Sequence, residues 1–111
     1  MQRIEVTEDG FTLTVVEEAR YSVFGNEVYP RRTSVTEQPW DDIYRIRLTK
    51  VDWWPEEPPR ICLEVDLTYG EYFEVTEDAE GFGEAVAEIC RQVGVPVPDW
   101  TAVPDGGLEI L

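Results

Sequence analysis

Two hydrophobic periods divide this chain. From Arg60 to Thr68 the apolar residues Ile61, Leu63, Val65 and Leu67 alternate with Cys62, Glu64 and Asp66, the period of a strand with one covered face. From Phe82 onward the period lengthens: Phe82, Val86, Ile89 and Val93 share one helical stripe, with Glu84, Glu88 and Arg91 opposite. The pattern predicts an amphipathic helix over 77–94 that starts at an Asp78 cap and stops at Gly94-Val95-Pro96. Gly81 and Gly83 weaken its first turns by roughly 0.5–1 kcal/mol each. Burial of the four stripe residues is worth about 6–12 kcal/mol gross, so the helix forms if it has a sheet to cover.

Earlier alternations supply that sheet. Ile4 and Val6, then Phe11, Leu13 and Val15, flank Glu8-Asp9-Gly10 and predict a hairpin turning at the Asp-Gly pair. Tyr21, Val23 and Val28 flank Gly25-Asn26 in a second, shorter hairpin, and Pro30 ends its outgoing strand or confines it to an edge. The residues that follow read as a polar link. Tyr44, Ile46 and Leu48 then alternate, and the change of parity before Val51 and Trp53 predicts a bulge near Thr49-Lys50. Pro55 to Pro59 form a stiff exposed loop.

The turn after Leu67 can be fixed by register. A two-residue turn at Tyr69-Gly70 would set Glu74 among apolar neighbours, whereas a three-residue loop Tyr69-Gly70-Glu71 pairs Leu67 with Phe73 and Val65 with Val75. The longer loop is expected, with Gly70 at positive φ. After the helix, Pro96, Pro98, Pro104, Gly106 and Gly107 predict a coil tail over 95–111, anchored by Trp100, Leu108 and Ile110. The expectation is one α+β domain over 1–111, with antiparallel strands over 1–76 in a bent sheet or partly open barrel of about six to seven strands and one C-terminal helix.

Composition narrows the function classes. The 24 acidic against 9 basic residues leave a net charge of −15, which disfavours direct contact with nucleic acid or an anionic membrane. Twelve acids and one base, Arg91, lie from Ile61 onward, while Arg31, Arg32, Arg45, Arg47, Lys50 and Arg60 fall between positions 31 and 60. An electrically polarised molecule follows, negative at its helix end. Two cysteines and no secretory leader point to a reducing cytoplasm, with Cys62 and Cys90 as buried or edge thiols. A disulfide between them fits the predicted geometry, and the compartment disfavours it.

With Trp40-Asp41-Asp42-Ile43 before a strand, Ile61-Cys62-Leu63-Glu64 in the next and Glu80-Gly81-Phe82 opening the helix, the stretch from Trp40 to Val93 resembles small bacterial proteins of pleckstrin-homology-like architecture. The resemblance implies a strongly bent antiparallel sheet or barrel closed by one C-terminal helix, with an adaptor-like role and no catalytic residues. The basic loop of that fold's phosphoinositide binders is absent here, so the resemblance does not extend to lipid binding.

Candidate chemistry is thin. The chain has no histidine, which removes Ser-His-Asp and Cys-His catalysis and imidazole metal sites. Gly81-Phe82-Gly83 follows a strand and opens a helix as a dinucleotide loop would, but Val86 takes the third glycine's place in acidic surroundings. With Gly81 at the sixth position of a calcium loop, Thr76 and Ala87 occupy the first and twelfth, where carboxylates are required. No metal or cofactor is expected, and Glu77, Asp78 and Glu80 suit a helix N-terminus without one. Trp53-Trp54 cannot both be buried by alternation within a strand, so one indole beside the proline loop is a candidate partner anchor, the alternative being packing under the tail or across a subunit interface.

The expected function is a non-enzymatic, cytoplasmic protein-interaction module, immunity- or inhibitor-like, that binds a basic protein. Its partner-binding candidates are Trp53, Trp54, Glu74, Glu77, Asp78, Glu80, Glu84 and Glu88. The alternatives are a DNA mimic that inhibits a nucleic-acid-binding protein and a structural, homodimeric domain.

Overall fold

The computed structural model describes residues 1–52, 56, 58–99, 102–104 and 106–111. Its strands are β1 (Gln2–Val6), β2 (Gly10–Glu17), β3 (Arg20–Tyr21), β4 (Glu27–Tyr29), β5 (Arg32–Pro39), β6 (Ile43–Val51), β7 (Arg60–Leu67), β8 (Tyr72–Thr76) and β9 (Leu108–Glu109). One α-helix, α1 (Phe82–Val93), follows β8. The fold is therefore α+β, and the described residues form three antiparallel sheets with no closed barrel among them: β1-β2-β5, the β3-β4 hairpin, and β8-β7-β6-β9.

The alternation in β7 does what the pattern requires. Ile61, Leu63, Val65 and Leu67 are buried against Ile46, Leu48 and Val75 of the flanking strands, and the α1 residues Phe82, Ala85, Val86 and Ile89 close over them with Ile4 and Phe11. Phe11 touches Trp40 and Phe73 edge-on, with ring centroids 5.1 and 6.1 Å apart. Trp40 in turn donates its indole N–H to the Thr7 carbonyl at 2.9 Å, tying the short 3₁₀ turn before β6 to the first hairpin.

Several expectations need correction. The β7–β8 loop has the predicted length but sits one residue earlier, at Thr68-Tyr69-Gly70, closed by Leu67 N–H to Glu71 O at 2.7 Å and Gly70 N–H to Leu67 O at 3.2 Å. Gly70 has φ 88° and ends the loop, as a three-residue hairpin with a glycine bulge demands. The register moves with it: Val65 pairs with Phe73 and Leu63 with Val75, which keeps Glu74 off the core face. The first hairpin turns at Glu8-Asp9, between Thr7 and Gly10, one residue before the Asp-Gly pair.

In β6 the irregularity falls between Ile43 and Arg45, far from Thr49-Lys50. Ile43 and Ile46 are both buried three residues apart, and only an extra residue at Tyr44 lets both face the core.

The helix begins at Phe82, after the predicted 77–81 turn and without a side-chain cap. Residues before it are taken by β1: Glu80 N–H donates to Gln2 O at 2.9 Å and Ile4 N–H donates to Glu80 O at 3.0 Å. Gly81 then turns at φ 82° so close to β1 that a Cβ would lie 2.5 Å from the Ile4 carbonyl oxygen. The helix ends at Gly94, as its φ of 86° and its N–H bond to Cys90 O show.

The polar link is a strand. β5 pairs with β2 over eight residues, from Gly10–Pro39 to Glu17–Arg32. The coil tail likewise contains β9, and Ile110 and Val103 are buried in the core, which explains why a Pro- and Gly-rich segment is held down. Beyond the core, β2 and β5 run outward as a ribbon that ends in the β3-β4 hairpin, and the molecule is long, 53 × 36 × 25 Å.

Candidate functional site

Antiparallel pairing of β6, β7 and β8 lines up the residues that point away from the core. Arg45 faces Asp66, Arg47 faces Glu64, and Glu64 faces Glu74 on its other side. Arg45 Nε donates to Asp66 at 3.1 Å and Arg47 Nε to Glu64 at 3.0 Å, while Arg45 also lies 3.7 Å from Glu109. The bases of positions 31–60 therefore form no pole of their own. Three of them reach acids of the second half: Arg45 and Arg47 because β6 lies beside β7, and Arg60, on β7, because β8 and the turn after it lie alongside.

Among the described residues Glu74 has no ion pair, and it stands exposed across from Glu64, whose side chain is only 16 % exposed. Like charges directly opposite on adjacent strands are unfavourable. Arg47 satisfies Glu64 and leaves Glu74 bare.

The turn after β8 adds two more acids. Glu77 is half-buried: its carboxylate accepts the Ile61 N–H at 3.2 Å while its own N–H donates to Ile61 O at 2.9 Å. Asp78 accepts a hydrogen bond from the Thr76 hydroxyl and another from Arg60 at 3.2 Å. The Thr76 hydroxyl, helped by the Arg60 guanidinium, holds the Asp78 carboxyl below its ordinary value. Glu74, Glu77 and Asp78 all act electrostatically on Cys62, which sits opposite Thr49 and Thr76. Burial first, then these three acids, push the Cys62 thiol up, with Arg60 opposing.

The remaining predicted acids are elsewhere. Glu80 accepts Arg3 Nε and Nη2 at 3.1 and 3.0 Å. Glu84 is exposed and has no ion pair among the described residues, and with Glu5 it borders a shallow groove of about 280 Å³ between β1 and the start of α1. Glu88 is half-buried and accepts Arg91 Nε and Nη2 at 2.8 and 2.5 Å and Gln92 at 2.9 Å, which hold its carboxyl down at about 2. No family model, no curated protein and no solved structure matches this chain.

The six predicted acids thus divide: Glu74, Glu77 and Asp78 lie on β8 and the turn after it, Glu80 is bound to β1 ahead of the helix, and Glu84 and Glu88 lie on α1. Trp53 and Trp54 lie outside the described residues. Glu64 was missed as a member of the surface, although its parity in the best strand placed it on the same side as Cys62 and Asp66. Both cysteines are free and buried, and burial pushes the Cys90 thiol up as well. A raised thiol stays protonated near neutral pH and is a poor nucleophile. Among the described residues no cluster of three metal-ligating side chains occurs, and no helix is long and apolar enough to cross a membrane.

Proposed function

We propose that this chain is a non-enzymatic, cytoplasmic protein-interaction module that binds a basic protein through its acidic sheet face, in the manner of an immunity or inhibitor protein. One observation carries the reading: Glu74 is held bare and exposed across from Glu64, with Glu77 and Asp78 beside it. That arrangement costs folding free energy in the isolated chain, and a cationic side chain of a partner laid over Glu74 would offset the cost. The −15 net charge would steer such a partner in from a distance. Absence of histidine and the burial of both thiols favour a binding role over catalysis.

The architecture we propose is pleckstrin-homology-like. In its favour are two main sheets around one core, bridged where β1 meets Glu80, with a single helix after the last long strand.

Glu74→Lys tests the function. It changes an exposed side chain with no partner of its own, so the fold is kept while the charge pattern is reversed at its centre. Retention of a basic protein from native extract by the wild-type chain, and its loss with this variant, is the expected outcome; unchanged capture would remove the acidic face from the binding site.

A further inference from the structure

The ribbon that leaves the core carries an edge nothing in the chain covers. β5 is the outer strand of its sheet, runs its eight residues without a register shift and is exposed on both faces from Arg32 to Glu37. Among the described residues no backbone bond reaches its free side. A long, regular row of unpaired N–H and C=O groups is a template for another strand.

Charge selects the occupant. Two chains of −15 repel, yet the segment from Glu17 to Thr36 is neutral, its acids Glu17, Glu18 and Glu27 balanced by Arg20, Arg31 and Arg32. Among the described residues, the same segment holds the most exposed large apolar side chains, Val23 at 95 % and Phe24 at 87 %, with Tyr21, Val28 and Tyr29 also exposed. This is the surface on which copies of an acidic chain can meet without repulsion.

We infer that β5 pairs antiparallel with β5 of a second copy, making a two-fold symmetric dimer centred on Val35. Residues of one parity alone direct their polar groups to a strand's free side, so a strand pairing with itself must match residues of equal parity. Val35 is the one apolar residue between Arg32 and Glu37 and is 59 % exposed, so a register centred on it covers the strand's only hydrophobic side chain. Ser34 then faces the partner's Thr36, Thr33 the partner's Glu37, and Arg32 the partner's Gln38. No like charges are opposed. Antiparallel pairing also carries each hairpin tip past the partner's Gln38, beside exposed Tyr69, whose hydroxyl donates to Gln38 within one chain at 3.1 Å. Val23 and Phe24 thereby gain an apolar neighbour. This surface is separate from the Glu74 region, and its test is independent of any basic partner.

The experiment is sedimentation equilibrium of the full chain across a wide concentration range. The wild type is expected to reach twice its 12.8 kDa chain mass. Val35→Lys sets like charges together on the dimer axis and should halve that mass, with an unchanged far-ultraviolet circular dichroism spectrum showing that the fold survives. Val35→Cys, oxidised, should cross-link to its own copy because opposed residues lie at disulfide distance, whereas Thr33→Cys should not. A monomer at every concentration, a dimer that survives Val35→Lys, or a dimer that Val35→Cys leaves uncross-linked would each overturn the inference.

Discussion

Gly10 and Gly70 both lie at positive φ, and their surroundings differ in a way a substitution should expose. Gly70 ends an exposed loop with nothing within 4 Å of where a Cβ would be, so Gly70→Ala pays only for its backbone conformation, about 1–2 kcal/mol. At Gly10 a Cβ would sit 2.2 Å from the Gln38 carbonyl oxygen in β5, so β2 and β5 must separate. Gly10→Ala should therefore cost about 3 kcal/mol or more, the upper end for overpacking. Urea unfolding of the two variants gives the comparison, and equal losses would contradict the close approach of the strands. Read in the sequence alone, Gly10 looked like a turn residue. Its reason for being glycine is a neighbour nearly thirty positions away.

At the scale of elements, those with a buried face were legible and those without were not. The α1 stripe and the β7 alternation announce themselves because one side of each meets the core. β5 is exposed from Arg32 to Glu37, so no apolar rhythm marks it, and only its ladder to β2 makes it a strand. The helix start was misplaced for a related reason: Asp78 is engaged by Thr76 and Arg60, and Glu80 by β1 and Arg3, contacts that no local pattern carries. The acidic surface was half legible. Its acids could be named, but which of them pair and which stand bare depends on the cross-strand register of β6, β7 and β8. That register gives Glu74→Lys two opposite consequences. Replacing a like-charge pair with an opposite one should stabilise the isolated chain by roughly 0.2–1 kcal/mol while it weakens binding of a basic partner. Paired urea unfolding and binding measurements would show both, and a destabilised variant would contradict the cross-strand placement.

For the whole molecule, acid is the revealing condition. The Asp78 carboxyl is depressed by the Thr76 hydroxyl and Arg60, and that of Glu88 lies at about 2 against an ordinary 4.5 through its bonds to Arg91 and Gln92. A carboxyl depressed by folding contributes stability in full above its unfolded value and loses it as pH falls through its folded value. The Glu88 contribution should be intact at pH 7, begin to decline below about 4.5 and be gone near 2, and the Asp78 contribution is likewise lost as acid protonates its carboxyl. Glu88→Gln should remove part of this slope in thermal unfolding followed against pH; a variant with the wild-type slope would show that the Glu88 pair does not persist in solution. Glu88 and Asp78 are satisfied within the chain, whereas Glu74 and Glu84 are exposed without an ion pair among the described residues, and of these two it is Glu74 that stands directly across from another carboxylate. The most direct test of Glu74 as the contact for a basic partner is capture from native extract by tagged wild-type and Glu74→Lys chains, at low and high salt, with the retained proteins identified by mass spectrometry. The expected result is a basic protein held by the wild type at low salt, released at high salt and absent from the variant. The same proteins retained by both chains at both salts would contradict it.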